Sequence, residues 1–197
     1  SSIDTLDTAS GYGNSEKVLG ELGVSGRFNL ITKVPKLSAE QDSILPFIEQ
    51  SFADLGCSSL DTVLFHHAEN LLTHPNKMQL FTQLALLKEQ QLVNNIGVSV
   101  YTPEQLTTIV HLYPIDAIQV PINVFDQRFI STDILQLCHQ KKIKLHARSL
   151  FLQGLLFIEQ VQLPPYFEPY QDKLKAFAAL AQTLSCSKLT LALALLA

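Results

Sequence analysis

Four residues of this 197-residue chain have the types and the places to do chemistry together: the acid Asp7, the phenol Tyr12, the ammonium Lys33 and the imidazole His66. Asp7 closes the run Ile3-Asp4-Thr5-Leu6-Asp7, and Tyr12 follows in a turn bounded by Gly11 and Gly13. Lys33 ends Asn29-Leu30-Ile31-Thr32-Lys33, and His66 ends Thr62-Val63-Leu64-Phe65-His66. Such groups at successive strand ends describe an active site at the mouth of a β/α barrel. Each also has a plainer reading. Asp7 could be a turn former, Tyr12 a packing aromatic, Lys33 a solvated cation or a Schiff-base lysine. The pair His66 and His67 invites a metal, but adjacent strand residues point to opposite faces, so only one can look into the mouth.

The elements that must position these groups alternate along the chain. Strands are expected at residues 3–7, 28–34, 60–65, 96–100, 115–120 and 143–147. The run from Phe28 to Val34 is continuously apolar up to Lys33, as in a parallel strand buried on both faces. Helices are expected over residues 15–22, with Val18, Leu19 and Leu22 inward, and over residues 78–92, with Leu80, Leu84, Leu87 and Leu92 on one stripe. Ser38-x-x-Gln41 resembles a capping box ahead of a helix facing inward with Ile44, Ile48, Phe52 and Leu55, and Gly56 ends it. Thr102-Pro103-Glu104-Gln105 is a helix start with a cap, Pro at the first position and Gln three residues on. Further helices are expected at residues 132–139 and 172–184, the latter with Leu174, Phe177, Leu180 and Leu184 inward; residues 150–169 read as a loop. Strand–helix alternation implies right-handed βαβ units and a parallel sheet, and so an α/β fold.

Composition sets bounds. A chain of this length is expected to form a single domain over residues 1–197. With 47% hydrophobic and 16% charged residues it is a folded globular sequence. The formal net charge of −4 gives no electrostatic case for nucleic acid or anionic membrane as partner. Cys57, Cys138 and Cys186 show no paired spacing, which argues against a disulfide framework or a zinc site and fits a reducing cytoplasm. Residues 189–197 are apolar but too short to cross a bilayer, and no signal peptide is visible.

Asp-Thr-Ala-x-x-Tyr-Gly at residues 7–13, Ile31-Thr32-Lys33, the strand leading to His66, Ile96-Gly97-Val98-Ser99, Ile118-Gln119 and Ala147-Arg148-Ser149 together resemble the aldo-keto reductase family over essentially the whole chain. The resemblance implies a (β/α)8 TIM barrel of which about six of eight strands are present. The absent pair would be neighbours in a closed ring, so the chain is expected to be a piece of a longer protein, and by itself not a competent reductase. It also implies reduction of an aldehyde or ketone by hydride transfer from a nicotinamide. A free phenol, with a pKa near ~10, needs a nearby cation to act as an acid at neutral pH. In this reading Tyr12 is the proton donor, Lys33 the cation beside it, Asp7 the partner of Lys33, and His66 the group that orients the carbonyl oxygen.

For the cofactor, NADPH with NADH left open, the resemblance implies Ser99 and Gln119 at the nicotinamide amide, although Val100 stands where the family has Asn. Arg148 replaces a ring-stacking tyrosine, and Ser149, Leu150, Gln153 and Gly154 fall where the family contacts the pyrophosphate. Asn123 is a candidate substrate contact, with a structural role equally open, as for Arg128. Residues 99–104 and 148–156 resemble bacterial members thought to act on sugar-like carbonyls. Two rival functions remain at this point: a Schiff-base lyase using Lys33, and a non-catalytic relative that binds a partner.

Overall fold

The computed structural model describes residues 3–159 and 163–196. Strands and helices alternate as β1 (Thr5–Asp7), α1 (Ser15–Glu21), β2 (Asn29–Val34), α2 (Leu45–Leu55) and β3 (Leu60–Phe65). A short α3 (Glu69–Leu72) interrupts the loop that follows, ahead of α4 (Lys77–Glu89), β4 (Val93–Ser99), α5 (Pro103–Leu112), β5 (Ala117–Pro121), α6 (Thr132–Gln140) and β6 (Lys144–Arg148). Two 3-10 turns, Leu152–Phe157 and Pro165–Tyr170, lead to α7 (Gln171–Thr183) and α8 (Lys188–Leu193). The six strands form one sheet in sequence order. Parallel strands joined by helices in that order are an incomplete (β/α)8 barrel, as expected.

Contacts divide the chain into two compact units, one running up to Val120 together with Thr132–His146, the other Pro121–Ser131 with the residues from Ala147 onward. In the first unit the sheet is strongly curled. Adjacent strands lie about 4.8 Å apart, so β1 and β5 would be about 19 Å apart in a flat sheet. Instead Gln119 on β5 reaches Asp7 on β1 with a hydrogen bond of 3.1 Å. The concave face carries Ile31, Leu64 and Ala117 as a buried cluster. Gly97 is required there, because a Cβ would lie 1.8 Å from the backbone oxygen of Ala117.

The convex side is covered by helices through Ile48 and Leu55 of α2, Leu80, Leu84 and Leu87 of α4, and Leu106 and Ile109 of α5, all buried. The start of α5 is a true capping box: Thr102 accepts from Gln105 N–H and the Gln105 side chain accepts from Thr102 N–H. At the opposite end of the strands from the site, Asp116 binds Lys88 Nζ through both carboxylate oxygens, at 2.6 and 2.7 Å. It also accepts the Ile96 N–H on its side chain and the Lys144 N–H on its backbone carbonyl.

Three expected details come out differently. Helix α1 turns Glu16 inward and leaves Val18 and Leu22 at 41% and 66% exposed. Its inner face carries Glu16 and, one turn on, Gly20, where a Cβ would meet the backbone oxygen of Asp54 at 2.0 Å; positions 18 and 22 lie on the other side. Ser38 and Gln41 close a free-standing turn, with Ser38 N–H donating to Gln41 Oε1, and α2 starts later at Leu45 with Pro46 in its first turn. In the second unit, α7 buries Phe177 and Ala181 while Leu180 and Leu184 are 49% and 56% exposed. Phe177 packs there with Leu156 and Ala192. Among the described residues no single helix is long and apolar enough to cross a membrane.

Candidate active site

Asp7 and Lys33 face each other at the ends of β1 and β2. Lys33 is buried, and its ammonium donates to Asp7 Oδ1 at 2.9 Å, to Asp7 Oδ2 at 2.8 Å and to the Thr8 carbonyl at 2.7 Å. Three oxygens, two of them from one carboxylate, thus stand within hydrogen-bond reach of Lys33 Nζ. Asp7 keeps 38% of its side chain exposed, toward the mouth.

Tyr12 stands over this pair. The chain leaves β1, turns with Tyr12 N–H donating to Ala9 carbonyl at 2.9 Å, and enters α1 through Gly13, whose φ of 60° favours glycine. Lys33 Nζ lies 5.0 Å from the Tyr12 ring centroid, within cation–π range. His66, just past β3, sets its ring edge-to-face against Tyr12, centroids 5.4 Å apart and planes at 80°. His67 turns away, with Nδ1 3.9 Å from Glu69 Oε2. Asp7, Tyr12, Lys33 and His66 therefore converge, and the strand register places His66 rather than His67 on the Tyr12 side.

Ser99 at the end of β4 and Gln119 in β5, paired in register, are buried at the same end of the sheet. Gln119 spends one amide hydrogen on Asp7. A buried hydroxyl and carboxamide beside the four groups form a donor–acceptor set that suits a flat carboxamide ligand. Sequence reading passed over His146, which strand alternation from Arg148 would have found. Burial pushes its imidazole below the ordinary value, opposed by Asp7 and Asp61 and reinforced by Lys144 and Lys33. Among the described residues no cluster of His, Cys, Asp or Glu could hold a metal ion.

The second unit holds the other expected positions. Arg148 is half-buried, with Nη1 at 3.4 Å from Ser149 Oγ. Ser149, Leu152, Gln153 and Gly154 all have positive φ, at 61°, 49°, 55° and 91°. Leu150 lies within this segment, whose turns are closed by Leu152 N–H to the Ser149 carbonyl and Gly154 N–H to the Phe151 carbonyl. Left-handed backbone at three non-glycine residues in a short stretch is the kind of strain that gathers at ligand-binding segments. Asn123 is buried and uses Oδ1 to accept from Phe125 N–H at 2.9 Å and Asp126 N–H at 3.0 Å. Its side chain thus shapes its own turn. Arg128 clamps the Asp126 carboxylate at 2.8 Å through both Nε and Nη2, and holds that carboxyl below the usual range.

Comparison with known proteins adds a family. A family model described as the aldo/keto reductase family matches residues 1–197. An aldo-keto reductase of Mycobacterium sp. (strain KMS) is 31% identical over 112 residues, covering 53% of this chain and 39% of that protein. The chain thus spans well under half the length of this curated relative. Among solved structures, the glycerol dehydrogenase of Gluconobacter oxydans superposes with a TM-score of 0.73 at 22% identity, over 96% of this chain and 67% of that one. An aldo/keto reductase of Klebsiella pneumoniae, solved in complex with NADP and acetate, gives 0.69 at 20% identity, over 94% and 62% respectively. At such identities the structural matches establish the fold.

Proposed function

Since the chain belongs to the aldo/keto reductase family, we propose that it carries the proton-transfer half of a nicotinamide-dependent reduction of an aldehyde or ketone. The observation that carries this reading is the Lys33 ammonium, held by Asp7 and Thr8 beneath the ring of Tyr12. A carbonyl accepting a hydride develops negative charge on oxygen and must be given a proton. Tyr12, 46% exposed and over a fixed cation, is the proton donor. Lys33 favours the phenolate left behind, Asp7 keeps Lys33 charged and in place, and His66, against the Tyr12 ring edge, orients the carbonyl oxygen.

NADPH, with NADH as the other nicotinamide, supplies the hydride when bound. Ser99 and Gln119 would hold its carboxamide. Arg148, Ser149, Leu150, Gln153 and Gly154 are assigned to the rest of the cofactor by resemblance, supported by the left-handed turn they occupy. Asn123 is assigned to the shape of its loop, with any substrate contact made through that shape. The substrate class proposed is a small, sugar-like carbonyl compound. The engaged state of Lys33 speaks against a Schiff-base lyase, which needs a free amine.

The test is consumption of NADPH, followed at 340 nm, by the longer protein expected to contain this chain, with a panel of small aldehydes and ketones. Tyr12→Phe should lower turnover by about 10²-fold or more, the usual contribution of a positioned general acid. Equal turnover by Tyr12→Phe and the unaltered protein would end the assignment of Tyr12. Borohydride trapping of a carbonyl compound on Lys33 would replace the reading with lyase chemistry.

A further inference from the structure

Tyr12 stands at the tip of a loop whose residues 11–14 are exposed, yet its job requires a fixed height above Lys33. The loop is pinned on both sides of Tyr12, and both pins end on neighbouring residues of β2. Two residues before Tyr12, Ser10 donates from its hydroxyl to the Lys33 carbonyl at 2.9 Å, and its N–H reaches the same oxygen at 3.4 Å. Four residues after it, Glu16 accepts the Thr32 hydroxyl. Thr32 is fully buried and Glu16, on the inner face of α1, is 5% exposed, an unusual place for a carboxylate.

We propose that Ser10 and Glu16 are positioning residues that hold Tyr12 over Lys33, Ser10 through the Lys33 carbonyl and Glu16 through the Thr32 hydroxyl. This rests on the reading of Tyr12 and Lys33 given above. Strand alternation explains the geometry: Lys33 points to the concave face with Asp7, while Thr32 points the other way, at α1. One strand therefore presents the ammonium to the ring of Tyr12 and, one residue earlier, anchors the helix that Tyr12 leads into. A third link runs from Thr8, whose hydroxyl donates to Ser15 Oγ at 2.9 Å and whose carbonyl holds the Lys33 ammonium. Apolar packing could have attached α1 to the sheet, but it would leave the helix free to slide along its axis. Directed bonds at residues 10, 15 and 16 fix it in that direction.

The experiment is a pH titration of Tyr12 by NMR in protein labelled with 13Cζ-tyrosine, the Tyr12 resonance being the one lost in Tyr12→Phe. Lys33→Met gives the midpoint without the cation. Ser10→Ala and Thr32→Val should move the Tyr12 midpoint toward the Lys33→Met value by roughly half a unit or more. Thr32→Ser and Glu16→Gln, which keep a hydroxyl donor and an acceptor, should leave it near the unaltered value. Ser10→Ala leaves the Lys33 carbonyl its Ser10 N–H, and it carries the test should Thr32→Val fail to fold. Midpoints that stay put in Ser10→Ala and Thr32→Val, or that move as far in Thr32→Ser as in Thr32→Val, would overturn the proposal. So would coincident midpoints for Lys33→Met and the unaltered protein. The titration needs no turnover, so a failure of the reductase reading shows separately, as NADPH consumption indifferent to Tyr12→Phe.

Discussion

Gln119 Nε2 lies 3.1 Å from Asp7 Oδ1, so the fifth strand of the sheet reaches the first across the concave face. The contact ties the proposed carboxamide ligand to Asp7, the partner of the lysine proposed to act in catalysis. Asp7 accepts from Lys33 on both oxygens and from Gln119 on one of them. A nicotinamide bound through Gln119 would therefore be sensed one bond away from Lys33.

Gln119→Leu should weaken NADPH binding by about tenfold, the worth of one net hydrogen bond. Quenching of intrinsic tyrosine fluorescence on titration with NADPH would measure it. An unchanged dissociation constant would assign Gln119 to Asp7 alone.

The ion pair predicts a non-additive pattern. Asp7→Asn leaves the buried Lys33 ammonium without a counter-charge; a fully buried pair broken in this way loses about 3–5 kcal/mol. Because Asp7 is 38% exposed on its side chain, solvent makes up part of that, and the expected loss is about 1–3 kcal/mol. Adding Lys33→Met removes the stranded charge, so the double variant should unfold at higher urea than Asp7→Asn alone. A double variant weaker than either single one would refute the pairing as the source of the cost.

His146 gives a pH dependence with a definite sign. Its folded value lies below 6.5, chiefly through burial, so between that value and 6.5 the unfolded chain binds more protons than the native one. Stability should rise with pH through that window and be lost as pH falls through it. His146→Gln should flatten the dependence. Urea midpoints between pH 5 and 7 that change equally in both proteins would assign it elsewhere.

Gly97→Ala should be severe, since its Cβ would lie 1.8 Å from a backbone oxygen of the next strand, where nothing can give way cheaply. A loss above about 3 kcal/mol, or insolubility, is expected. Gly11→Ala, with nothing within 4 Å of its Cβ, is the control and should shift the thermal midpoint little.

How much of this was legible in sequence varied with the kind of signal. Lys33 and His66 could be placed because β2 and β3 are nearly continuous apolar runs that lead to a polar residue, and side chains alternate between the two faces of a strand. The α5 start was legible because Thr102, Pro103 and Gln105 agree with one another. The same three-residue spacing misled at Ser38 and Gln41, since a turn and a helix start satisfy it equally well. The face of α1, and that of α7 beyond Leu174 and Phe177, were misread because leucine spacing was counted and small or polar residues were not. Gly20 lets a neighbour approach closely, Ala181 is buried where a leucine was expected, and Glu16 turns inward to meet a threonine that periodicity alone does not pair with it. The turn at residues 149–154 was not foreseen as left-handed, since only Gly154 among its positive-φ residues announces such a backbone.

Asp116, at the far end of the strands, has a bearing on how such a protein can change. It cross-braces α4, β4 and β6 into a floor. The Ile96 and Lys144 amides bound to it should be among the last to exchange with deuterium, while the exposed amides around Tyr12 exchange early. Cohesion is lodged at one end of the strands and the proposed site at the other. Loops at the other end can be lengthened, shortened or resequenced over evolutionary time without loosening the floor.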